Sequence, residues 1–225
     1  MTLTLYTFDW LPEFPRGFVR DLRVRWVLEE TGQPYTVDTV PAYPKSPGHL
    51  ALQPFGQVPI VVDGDLTLFE SGAILMHLGE GTALLPASDR TKVTQWLFAA
   101  LNTVEMSVMH WVTMVLATRF PDFFGPPPED VVIEHARREM EAKLEALQMA
   151  LGGEAWLADK FTIADIAMVE VLRVVESEGA LARFPQLVSY VDRARERQAF
   201  QRAMADHMQH WRAADSRKAA TETGR

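Results

Sequence analysis

With 225 residues, 48% of them hydrophobic and 23% charged, the chain has the makeup of an ordinary folded protein, long enough for one large domain or two small ones. Lys+Arg of 22 against Asp+Glu of 30 leaves a net charge of −8, which argues against general affinity for nucleic acid or an anionic membrane. Cysteine is absent, so disulfides, Cys-ligated metals and a catalytic thiol from the protein itself are excluded, and any thiol chemistry must use a thiol brought in.

The amino terminus, MTLTLYTFDW, has neither a basic n-region nor an apolar h-region. No apolar run approaches the roughly 20 residues of a membrane span, so a cytoplasmic location is the expectation. LTLY reads as a strand and is followed by a Pro-rich loop. In FVRDLRVRWVLEETG the residues Val19, Leu22, Trp26 and Val27 fall at helical spacing, and Gly32 closes the helix. YTVDTV alternates as a strand, and PAYPKSPGHLALQ is a loop leading into a short helix. IVV and LTLF then flank Asp-Gly-Asp, a hairpin signal, and SGAILMHLG reads as a helix. The order β, α, β, short α, β, β, α implies a βαβ unit with a parallel pair, extended by an antiparallel hairpin.

From Asp89 onward the hydrophobic period is helical. Val93, Leu97, Ala100, Leu101, Val104, Val108, Trp111, Val112 and Val115 make one stripe, and the rise of 1.5 Å per residue predicts a helix of about 45 Å, ended by PDFFGPPPED. Ala136, Met140, Leu144, Leu147 and Leu151 make the next stripe, stopped by Gly152-Gly153, and shorter helices follow. In FTIADIAM, Thr162 and Asp165 match a capping box, with Phe161 and Ile166 as a hydrophobic staple. SRKAATETGR is small, polar and without periodicity, so residues 213–225 are expected to be a disordered tail. The expected division is 1–81, 89–212 and that tail.

The ordered set KSPGHLAL, PFGQVP, DGDLTLFESGAI and FTIADIAM resembles the cytosolic glutathione S-transferase superfamily, bacterial type, over nearly the whole chain. The resemblance implies an α+β protein: a thioredoxin-like domain with a mixed four-stranded sheet (βαβαββα), then an all-α helical bundle. It implies that Pro59 is cis and that the Val58 backbone pairs with the cysteinyl backbone of glutathione. It also implies that Glu70 meets the ammonium of the γ-glutamyl group and Ser71 its carboxylate. A helix amino terminus, with open N–H groups and positive dipole, suits that carboxylate. Read without the family, Ser71 is an N-cap and Glu70 a favourable first-turn charge. Lys45 is expected to meet the glycine carboxylate, with Gln57 as a further polar contact.

The reacting end departs from the pattern. Family members place a Tyr, Ser or Cys between the first strand and first helix, where it stabilises the thiolate. Here Gly17 or Phe18 takes the serine or cysteine position, so three substitutes stay open. Tyr6 or Thr7 could supply a hydroxyl, although Tyr6 reads equally as an inward-facing strand residue. Backbone N–H groups around Phe18 and Val19 could hold the sulfur. Arg16 and Arg20 could favour the thiolate by charge, or could instead face solvent or pair with Glu13 and Asp21. The second-substrate pocket is expected to draw on Trp10, Phe14, His110, Trp111 and Met114. His207 and His210 have no carboxylate pattern beside them, and no metal is expected.

The expected activity is a glutathione transferase that activates the thiol of bound glutathione, its co-substrate, for attack on a small apolar electrophile, a detoxification chemistry. The alternatives are a glutathione-dependent disulfide or peroxide reductase of the same fold and a non-enzymatic binding or scaffold protein. A homodimer is expected, with neither nucleic acid nor membrane as partner.

Overall fold

Alternation in the first residues produces β1 (Leu3–Phe8), whose Leu3, Leu5 and Thr7 turn inward; the computed structural model describes residues 3–223. A single 3-10 turn at Arg16–Phe18 interrupts the long loop after β1. Helix α1 (Asp21–Thr31) then buries Leu22, Val24, Trp26, Val27 and Leu28. Gly32 ends it at φ 66°, a left-handed conformation that glycine adopts without a Cβ penalty. The N–H groups of Gly32 and Gln33 both return to the Leu28 carbonyl. β2 (Tyr35–Val40), α2 (Pro47–Leu52), β3 (Ile60–Asp63), β4 (Leu66–Phe69) and α3 (Ser71–Gly79) complete the predicted sequence of elements.

The sheet order is β2-β1-β3-β4. β1 pairs with β2 in parallel and with β3 antiparallel, and β3 forms a two-residue hairpin with β4 at Gly64-Asp65. Register decides which loops share an edge. Tyr6 lies opposite Ile60 and Ile60 opposite Phe69. The exits of β1, β2 and β4 and the entry to β3 therefore stand at one end of the sheet, neighbouring strands being about 4.8 Å apart.

The helical half comprises α4 (Arg90–Phe98), α5 (Glu105–Arg119), α6 (Pro121–Phe124), α7 (Asp130–Leu151), α8 (Ile163–Ser177) and α9 (Pro185–Arg195). The single long helix predicted from Val93 to Val115 is interrupted: Ala99–Val104 form a π-helical turn between α4 and α5. The stripe survives because Val93, Leu97, Ala100, Val104, Val108, Trp111 and Val112 all remain buried, so hydrophobic spacing carries no signal of the extra residue. On α7 all five predicted core residues are buried. The capping box at the start of α8 forms as predicted: the Asp165 carboxylate accepts from the Thr162 N–H at 2.8 Å and the Thr162 hydroxyl at 3.0 Å. It also accepts from the Leu157 N–H at 3.0 Å and the Tyr190 hydroxyl at 2.7 Å, which ties three segments to one buried group.

The carboxyl end differs from expectation. α10 (Gln198–Thr223) is helical where a disordered tail was predicted from 213, and residues 224–225 lie outside the described part. The chain divides into one unit of Met1–Thr82 with Arg195–Arg225 and another of Ala83–Ala194, so α10 belongs with the sheet. Its buried Phe200 meets Trp26 edge-on at 4.8 Å, and Trp211 is fully enclosed. Arg197 pairs with Glu30 and Arg202 with Glu29 along α1. Beneath them, Arg25, Asp21 and His207 form a fully buried charged group. Among the described residues no helix is long and apolar enough to cross a membrane.

Candidate functional site

The sheet end where β1, β2 and β4 exit gathers most of the residues singled out in the sequence. Val58–Pro59 is a cis peptide bond, as the resemblance implied; Tyr43–Pro44 is cis as well, with no expectation behind it. Val58 sits between the α2 loop and β3, and among the described residues neither its N–H nor its carbonyl is used in a hydrogen bond. Open backbone groups beside the entry of a strand can pair with an extended peptide.

The loop before Val58 is held by side chains that the sequence reading passed over. Buried Gln53 accepts from the N–H of Phe55 at 2.6 Å and of Gln57 at 3.2 Å through one oxygen. The His49 Nε2 donates to the Gln57 carbonyl at 3.0 Å, so that nitrogen carries a hydrogen. Gly56, at φ +63°, lets the Lys45 stem pass where a Cβ would stand only 3.1–3.3 Å from it. The Lys45 ammonium lies 4.5 Å from the Phe8 ring centroid, and partial burial lowers its pKa. Gln57 itself is exposed.

Glu70 and Ser71 stand one and two residues beyond the Ile60–Phe69 pair, so they flank the same end as Pro59. Glu70 is the N-cap of α3 and caps nothing with its side chain, and Ser71 is the first helical residue. The reading of Ser71 as a simple N-cap is therefore excluded. Glu70 has φ 67° and ψ 113°, which a residue with a Cβ adopts only at a cost. Its carboxylate is exposed and carries no partner among the described residues. Ser71 is 6% exposed, and its hydroxyl accepts from the Arg23 Nη1 at 3.1 Å. Arg23, itself buried, thus places positive charge beneath the open N–H groups of α3, a combination suited to a carboxylate. The missed signal was the basic residue two before Arg25 on a helix face otherwise buried.

At the reacting end the structure reorders the candidates. Arg16 is 8% exposed and fully engaged: it grips both oxygens of Asp215 at 2.6 Å and donates twice more to the Leu11 carbonyl. Its side chain is neither solvated nor paired with Glu13 or Asp21, and its charge is neutralised by Asp215. Asp21 instead binds Arg25 and His207. The Phe18 N–H is taken by the Pro15 carbonyl at 2.9 Å, which leaves the Val19 N–H, unused among the described residues, at the approach to α1. Arg20 is the exposed N-cap of α1, and Tyr6 is half-buried on β1 with Thr7 fully buried beside it.

Of the residues expected at a second-substrate pocket, Trp10 has its indole N–H on Asp215 at 3.0 Å and the Lys218 ammonium 3.4 Å from its ring centroid. Phe14 is half-buried in the same loop. Trp111 is 5% exposed within the helical unit, so packing is its role, whereas His110 is exposed and Met114 half-buried on α5.

Residues 1–80 match the family model of the glutathione S-transferase N-terminal domain and residues 106–198 that of its C-terminal domain. Glutathione S-transferase 3 of Zea mays is 32% identical over 198 residues, covering 82% of this chain and 88% of its own. The chain belongs to the glutathione S-transferase superfamily. A probable glutathione S-transferase of Oryza sativa is 34% identical over 152 residues, covering 64% of this chain and 70% of its own. Among solved structures, glutathione S-transferase-I bound with lactoylglutathione superposes with a TM-score of 0.74 at 25% identity, covering 91% of this chain and 99% of that one. A glutathione transferase from Pseudomonas putida with glutathione disulfide bound has a TM-score of 0.74 at 26% identity and 90% coverage of both chains. As a glutathione S-transferase the enzyme departs in this loop from the pattern the resemblance implies, since Gly17 or Phe18 stands where a hydroxyl or thiol is expected.

Proposed function

We propose that the protein binds glutathione at this sheet end and activates its thiol for attack on a small apolar electrophile. The γ-glutamyl ammonium pairs with Glu70, and the γ-glutamyl carboxylate with the Ser71 hydroxyl and the first N–H groups of α3, with Arg23 behind. The cysteinyl backbone pairs with the Val58 N–H and carbonyl, and the glycine carboxylate with Lys45 and Gln57. The sulfur then points to the start of α1, where the Val19 N–H, the helix dipole and the Arg20 charge favour S⁻ over a thiol of ordinary pKa near about 8.5. Thiolate forms the new S–C bond as the leaving group departs with its electron pair, and the thiol proton goes to solvent.

The observation that carries this reading is Glu70: a carboxylate held at φ 67° with no partner among the described residues, beside a serine whose hydroxyl is already oriented by a buried arginine. A scaffold has no physical need for either. We further infer a homodimer, in keeping with exposed Phe98 and Met106 on either side of the π-helical turn. Glutathione-dependent turnover of an activated aryl halide tests the reading. Saturable turnover that Glu70→Ala reduces through KM is expected. Disulfide reduction without any conjugation would assign the reductase alternative, and absence of both reactions at millimolar glutathione would assign the non-enzymatic one.

A further inference from the structure

The loop between β1 and α1 has little structure of its own: apart from one 3-10 turn, residues 9–20 make no regular element. Its shape is set instead by α10. His210 Nε2 donates to the Phe8 carbonyl at 2.9 Å, where the loop begins. His207 holds the Arg16 carbonyl, near its end. Between these, Asp215 grips the Arg16 guanidinium with both oxygens and accepts from the Trp10 indole, while Arg16 in turn donates twice to the Leu11 carbonyl. Arg16 lies 5.8 Å from the centroids of both Trp10 and Trp211, and Lys218 covers the Trp10 ring. His207, Trp211, Asp215 and Lys218 follow one another at four, four and three residues, a single helical stripe addressed to this loop.

Two residues separate Arg16 from Val19, and the turn that holds them is closed by the Phe18 N–H on Pro15. A displacement of Arg16 is therefore passed to the Val19 amide. We propose that Asp215 is a positioning residue for the reaction: by clamping Arg16 and Trp10 it fixes the loop, and with it the Val19 N–H, against the glutathione sulfur, so that α10 governs thiolate formation without touching the substrate. The proposal rests on the glutathione reading above.

The clamp is ionised throughout the working range, since Arg16 hydrogen bonding holds the Asp215 carboxyl down at about 2. Its side chain is nevertheless half exposed, and a solvent-screened pair adds little to global stability. The two consequences separate. Asp215→Asn keeps size and the ability to accept one hydrogen bond but loses the charge-assisted bidentate grip.

The experiment follows the thiolate ultraviolet band of glutathione bound to the full chain as a function of pH, with glutathione affinity, kcat, KM and melting temperature alongside. For Asp215→Asn the expected result is a bound thiol pKa about one unit higher and kcat at about pH 6.5 about tenfold lower. Glutathione affinity measured below the bound thiol pKa should stay within about twofold, since the groups that bind the tripeptide are unchanged and the raised pKa weakens binding only where the thiolate is the bound form. Asp215→Glu should restore part of the pKa shift. Trp10→Phe, which removes only the indole donor, should move the pKa the same way by less. A wild-type thiol with depressed pKa that Asp215→Asn leaves unmoved overturns the inference, as does a variant whose melting temperature falls while its pH profile stays put. Bound glutathione that titrates in the wild type like the free thiol would overturn the functional reading itself.

Discussion

Replacing Glu70 by glycine should stabilise the protein while removing its function. Glu70 has φ 67° and ψ 113°, a conformation that costs a residue with a Cβ about 1–3 kcal/mol. Glycine relieves that strain but frees the unfolded chain by about 0.4–1 kcal/mol. The net gain is about 1 kcal/mol, a rise of roughly 2–4 °C in Tm for a chain of this size. The carboxylate makes no hydrogen bond or ion pair among the described residues, so nothing offsets the gain. Binding moves the other way: loss of a hydrogen bond to a charged group is worth about 1.5–3 kcal/mol, or about 10- to 100-fold in glutathione affinity. Thermal unfolding without ligand and calorimetric titration with glutathione measure the two. Glu70→Ala is the control, because alanine keeps the strained φ: affinity should fall equally with no rise in Tm. A glycine variant that melts below the wild type, or that binds glutathione as tightly, would refute the reasoning.

Other outcomes follow from buried groups. Asp165→Ala strands the donors of Leu157, Thr162 and Tyr190 at about 1 kcal/mol or more each, so urea unfolding should show a loss of about 3–5 kcal/mol; a loss under about 1 kcal/mol would contradict the role given to the capping box. The buried Asp21–His207 pair makes stability depend on pH. Burial alone would lower the His207 pKa, but the Asp21 charge and hydrogen bond raise it above 6.5; burial alone would raise Asp21, but His207 and Arg25 bring it down from 3.8 to about 2. The histidine contribution is complete below 6.5 and is lost as pH rises through its raised value, whereas the aspartate contribution is complete above 3.8 and is lost toward about 2. The stability gap between wild type and His207→Gln should accordingly be widest between about pH 4 and about pH 6.5 and narrow at about pH 9, as read by urea titrations at each pH.

Much of this fold was legible because its signals are local. Asp63-Gly64 marked the hairpin, Gly32 the end of α1, the α7 stripe its buried face, and Thr162 with Asp165 the start of α8. The π-helical turn at 99–104 was not legible, since one inserted residue leaves the three-and-four spacing of apolar residues intact. Nor was the helix beyond 213, because the groups that use it are distant in sequence: Asp215 meets Arg16 across 199 residues. The same distance explains why Arg16 read as a candidate for the thiolate. In the sequence it is a cation at a helix start; in the structure its charge is spent on α10. At the sheet end beside Pro59, Glu70 and Ser71 were visible as a pair, but Arg23 was not, since its bond to Ser71 spans 48 residues. Gln53 and His49 escaped notice because they act on backbone groups of the loop, which no residue pattern announces.

The central claim is that Glu70 and Ser71 recognise the γ-glutamyl group. Calorimetric titration of the wild-type protein with glutathione and, in parallel, with cysteinylglycine is the sharpest check, because the dipeptide keeps the thiol and the glycine carboxylate and lacks the γ-glutamyl group assigned to that pair, a free amine replacing the amide. Saturable binding of glutathione is expected, with cysteinylglycine at least about 100-fold weaker, the sum of two charge-assisted contacts. Equal affinity for the two, or no binding of glutathione, would contradict it.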